Sequence, residues 1–123
     1  MKKIKWFIFS AVSLLLIGCA ANSVQELKSS PGYYQETVSG HGYQDSLKIV
    51  KDEYSSIQGA DLSCTIYTDA KRGECTGTGS PGVFIFISTE YINNTSSMVK
   101  FYTAVNNPSW HRHIERMIAK LNE

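Results

Sequence analysis

The residues able to do chemistry in this chain are few and scattered. Gly77-Thr78-Gly79-Ser80-Pro81-Gly82 has the letters of a dinucleotide-phosphate loop. That loop needs a strand before it, a helix after it and main-chain amides aimed at the phosphates. Pro81 removes one amide, and a strand-like run, Val83 to Thr89, follows, so the segment reads as a hairpin loop. His111 and His113 are two positions apart, roughly 200° around a helix, and cannot share a metal. His111 and Glu115 stand at i, i+4, but there is no His-Glu-x-x-His, and the spacing is that of an ordinary solvated pair. His41 lies between Gly40 and Gly42 with Ser39 nearby. A serine nucleophile needs a base that is itself held by a third group, and nothing in the sequence supplies that third group. These residues read as a polar turn. No catalytic residue, metal ligand or cofactor is expected. Tyr33, Tyr34 and Tyr43 are the candidates for partner contact, because tyrosine buries area at small entropic cost.

The amino-terminal segment carries a stronger signal. Met1-Lys2-Lys3-Ile4-Lys5 is cationic, and the apolar run from Trp6 to Ile17 is 12 residues long, against about 20 needed to span a bilayer. The run closes on Leu16-Ile17-Gly18-Cys19, with the small Gly18 before a cleavage point. Residues 1–19 resemble the signal peptide of bacterial lipoproteins. The resemblance implies that residues 1–18 are removed and that Cys19 is diacylated on sulfur and usually acylated on its new amine. Each buried methylene contributes about 0.8 kcal/mol, and two or three chains give stable attachment where one does not. Ala20 stands where an inner-membrane retention signal would have Asp, which by the same resemblance implies the outer membrane, facing the periplasm.

Loss of residues 1–18 leaves 105 of the 123 residues, enough for one small domain. Three of the 12 basic residues leave with the signal, so nine remain against 11 acids and the mature chain is near −2. That balance argues against nucleic acid and against electrostatic binding to anionic lipid. With Cys19 lipidated, Cys64 and Cys75 are an even pair in an exported protein, which reads as a disulfide. The competing reading, a metal or redox pair, suffers from a spacing of 11 and from the lack of a neighbouring histidine. The short loop gives the bridge about 2.5–3 kcal/mol in the chain-entropy account.

Residues 20–32 are small and polar and end in Pro31-Gly32, so residues 19–32 read as a lipidated flexible tether. Fully extended, it would reach about 40 Å. Residues 33–123 form the domain. Tyr33 to Ser39 predicts a strand. Leu47, Val50, Tyr54 and Ile57 recur at helical steps from Gln44 to Ile57, and Gly59 ends that helix. Leu62 to Thr68 alternates like a strand. A turn centred on Asp69-Ala70 would set Cys64 directly opposite Cys75, whereas a turn one residue later would offset them. Val83 to Thr89 is apolar on both faces, as a central strand would be, and Met98 to Val105 alternates, with Asn93-Asn94-Thr95 connecting the two. Asn107 as N-cap and Pro108 at the first position start a last helix with Trp110, Ile114, Met117, Ile118 and Leu121 on one face. The order is β-α-β-β-β-β-α, and the fold class is α+β: an antiparallel sheet of about four strands with two amphipathic helices on one face. The functional expectation is a non-enzymatic envelope lipoprotein that binds another protein. The alternative is a small-ligand or cell-wall-binding module. A hydrolase ranks third, and would require His41 or His111 beside a serine and a carboxylate.

Overall fold

A computed structural model describes residues 23–79 and 82–123; the lipobox and Cys19 lie outside the described residues, as do Ser80 and Pro81. The elements are α1 (Val24–Ser29), β1 (Tyr33–Ser39), α2 (Tyr43–Gln58), β2 (Ser63–Tyr67), β3 (Arg72–Gly79), β4 (Gly82–Asn93), β5 (Ser96–Thr103) and α3 (Pro108–Leu121). The class is α+β. One antiparallel sheet runs in the order β1-β5-β4-β3-β2. It has five strands rather than about four, because β1 pairs along its whole length with β5 and forms one edge of the sheet.

α2 and α3 cover one face of the sheet, as expected. Val50, Ile85, Ile87, Val99, Phe101, Ile114, Met117 and Leu121 are completely buried there. α2 ends at Gly59, whose φ of 69° suits a residue without Cβ. α3 starts as the sequence indicated, with the Asn107 side chain accepting from the Trp110 amide at 2.9 Å and Pro108 following it.

The opposite face holds a smaller core that the sequence reading missed. A register shift at Gly77/Thr78 sets Val83 and Phe86 on the same side of β4. Against them lies α1, capped by Ser23 Oγ, which accepts from the Glu26 amide. Its Leu27 is 1% exposed and packs with Val83, Phe86 and Ala104. The Gly32 amide then donates to the Thr103 carbonyl at 2.8 Å. The tether expected over residues 20–32 is corrected accordingly: from Ser23 onward the chain belongs to the domain. Val24 and Leu27 are one i, i+3 pair in a polar stretch, too short to register as periodicity.

Cys64 and Cys75 form a disulfide and face each other directly across β2 and β3, with Cα atoms 4.1 Å apart. The connecting turn centres on Asp69-Ala70, and the Lys71 amide donates to the Thr68 carbonyl at 3.2 Å. The expected loop at Gly77–Gly82 is also corrected. Gly77, Thr78 and Gly79 continue β3 and pair with β4. A Cβ on Gly77 would stand 2.5 Å from Ile85 Cγ2, so a close strand contact requires this glycine. Strand β4 begins at Gly82, where a phosphate loop would need a helix.

Candidate functional site

At one end of the sheet, β1 turns through Gly40-His41-Gly42 into α2, beside the start of β5 and the end of α3. Ser39 and Ser97 are register partners on the helix-facing side of β1 and β5, and Ser46 lies in the first turn of α2. All three are completely buried. Ser46 Oγ is 2.8 Å from Ser39 Oγ and 2.9 Å from Ser97 Oγ. Ser97 Oγ donates to the His41 carbonyl at 2.9 Å, Ser39 Oγ donates to the Leu121 carbonyl at 3.3 Å, and the His41 amide donates to Ser39 Oγ at 3.1 Å. Each hydroxyl has one proton and can spend it within this set, so the knot joins four elements with its polar groups satisfied. The serines touch the main chain of His41 rather than its ring, whose Nε2 is buried without a hydrogen-bond partner. Buried hydroxyls so engaged hold a turn in place and present no surface to a substrate.

That turn forms the floor of an open cleft of about 200 Å³ between the sheet and α2. Gly42, Tyr43, Gln44, Asp45, Tyr91, Asn93 and Asn94 line it. Tyr91 has the same parity in β4 as Ile85, Ile87 and Thr89, so it projects on the helix side, beyond the end of the core. It is 39% exposed. Its ring meets that of Tyr43 edge-on, with centroids 6.3 Å apart and planes at 80°. Lys71 Nζ lies 4.5 Å from the Tyr91 ring centroid, and the Tyr91 amide donates to the Lys71 carbonyl. Gln44 Nε2 donates to Tyr43 Oη at 3.0 Å. The hairpin is fixed by Asn93 Oδ1, which accepts from the amide and hydroxyl of Thr95. The result is a pre-arranged aromatic pair flanked by amides and the Asp45 carboxylate, with the Gly42 N-cap adding no side chain over the start of α2.

The three tyrosines singled out in the sequence do not come together. Tyr33 points to the helix side and stacks on His111 with centroids 4.0 Å apart, while His111 Nε2 lies 2.6 Å from Asn106 Oδ1. Tyr34 alternates to the opposite face, where it meets Tyr102 at 4.8 Å and donates to Glu36 at 3.1 Å. Burial first, then the Glu36 carboxylate, pushes its phenol well above the ordinary range. Tyr43 alone reaches the cleft. His113 packs edge-on against Trp110, and burial, then Arg112 and Arg116, hold it below the usual histidine value. Glu115 is exposed on α3. Among the described residues no three His, Cys, Asp or Glu side chains converge, and no helix is long and apolar enough to cross a membrane.

Tyr91, Asn93 and Asn94 are the site residues that sequence reasoning did not single out. Continuing the alternation of β4 two steps past Thr89 would have placed Tyr91 on the helix side. Its meeting with Tyr43, 48 positions earlier in the chain, depends on the packing of α2. No known protein family matches this chain, and no curated protein matches it.

Proposed function

We propose that this protein is a lipid-anchored, non-enzymatic recognition module of the cell envelope. Acyl chains on Cys19 hold it to the membrane, in the outer membrane facing the periplasm, and it grips an envelope protein through the Tyr43–Tyr91 cleft. The observation that carries the reading is an aromatic pair, an exposed Tyr91 and a half-buried Tyr43, beside a buried knot of hydrogen-bonded serines. Rigid tyrosines at a pre-formed concavity are the usual anchors of protein interfaces, because little entropy remains to be lost on binding. Size supports the same reading. About 200 Å³ is below the 300–1,000 Å³ typical of enclosed small-molecule pockets. It suits one or two side chains of a larger partner.

Affinity capture from envelope extracts, comparing the wild-type domain with Tyr43→Ala and Tyr91→Ala, tests the cleft. The expected outcome is a partner retained by the wild type and lost from both variants; equal recovery from all three would contradict the proposal. The anchor has its own test. Cys19→Ala should abolish palmitate labelling and processing, and normal labelling of that variant would remove the lipidation reading.

A second reading has one observation in its favour: Gln44, Asp45, Asn93 and Asn94 stand beside the two tyrosines, a lining suited to a hydroxyl-rich cell-wall fragment. A ligand that binds only the folded state raises Tm. A thermal shift with peptidoglycan fragments, absent in Tyr91→Ala, would favour this reading over the protein partner.

A further inference from the structure

The docking of α1 determines which side of the domain can meet the membrane. We infer that the domain rests on the lipid headgroups by its α1 side and carries the Tyr43–Tyr91 cleft at the end farthest from them; this rests on the lipidation of Cys19. Only three residues, four backbone steps, separate Cys19 from Ser23, the N-cap of α1. In any conformation they span no more than about 14 Å. From Ser23 onward the chain is committed to the fold, because Leu27 is buried against Val83, Phe86 and Ala104, and the Gly32 amide is bonded to Thr103. A free tether of residues 19–32 would have let the domain roam about 40 Å from the lipid in any orientation. The docked helix leaves no such freedom.

The strands then give the height of the cleft. α1 lies over Phe86, with Lys28 Nζ 5.5 Å from its ring centroid, near the start of β4. The cleft lies at the other end of the same strand, at Tyr91 and Asn93. Seven residues of extended chain from Phe86 to Asn93 cover about 23 Å. The cleft is thus farther from α1 than the connector is long. Beyond α1, the same sheet face pairs Glu36 with Lys100 and Arg72 with Glu90 in register, around the isolated exposed side chains of Val38 and Tyr67. Such a face stays hydrated, so lipid contact is confined to the α1 end and involves headgroups rather than the acyl core.

The test uses the full lipidated protein in phosphatidylcholine vesicles containing a headgroup-nitroxide lipid. A fluorophore is placed at Gln25→Cys on α1 or at Asn94→Cys beside the cleft, both exposed positions. Flotation with the vesicles and severalfold stronger quenching at position 25 than at 94 are expected. Flotation with equal quenching, or stronger quenching at 94, would overturn the orientation and leave the lipid anchor standing. Failure to float would overturn both.

Discussion

Ser46 and Thr89 are completely buried hydroxyl residues on the helix side of the molecule, and they stand in opposite hydrogen-bonding states. Ser46 Oγ is engaged by Ser39, Ser97 and the His41 carbonyl, whereas Thr89 Oγ1 has no partner. Removing a satisfied buried group strands its partners, so Ser46→Ala should lower stability by about 1–3 kcal/mol. Thr89→Val removes an unsatisfied group without changing shape and should raise stability by about 1 kcal/mol. Urea midpoints at unchanged slope would check both. His113 supplies a pH dependence of known sign. Its folded value is held below the ordinary 6.5, so the unfolded chain binds more protons in the interval between the two. The contribution of His113 is therefore fully present above about pH 6.5 and declines as pH falls from there toward the depressed folded value. His113→Gln should flatten that part of the stability–pH curve. An unchanged slope would show that other groups carry it.

Among the elements, those with long periodic signals were legible before the structure. Four apolar positions at helical steps marked α2, and a cap, a proline and five such positions marked α3. The register of β2 and β3 followed from the disulfide and the turn chemistry of Asp69-Ala70, and Cys64 indeed faces Cys75. Double substitution to Cys64→Ser and Cys75→Ser should lower stability by about 3 kcal/mol, the entropy of closing a short loop, as read in chemical unfolding. What was not legible had a physical cause in each case. α1 buries a single leucine in a polar stretch. Gly77 of β3 read as part of a loop because it admits Ile85, a contact made across strands. β1 joins the sheet beside β5, far along the chain, so strand count depended on a pairing that local sequence does not encode.

The molecule as a whole has two distinct ends. One carries α1 and the short connection to Cys19, and the other carries the cleft, built from the β4–β5 hairpin and the start of α2. Of the candidate site, Tyr43 was readable from the sequence and Tyr91 was not, because their meeting is a product of packing. In the proposed function that pair acts as the grip. Site-specific photo-crosslinking in intact envelopes tests this most directly, with a photoreactive phenylalanine replacing Tyr91 or, as a control on the exposed face of α3, Lys120. A discrete adduct with one envelope protein is expected from position 91, lost when Tyr43→Ala is added, and none from position 120. The same adducts from both positions, or none from position 91, would contradict it.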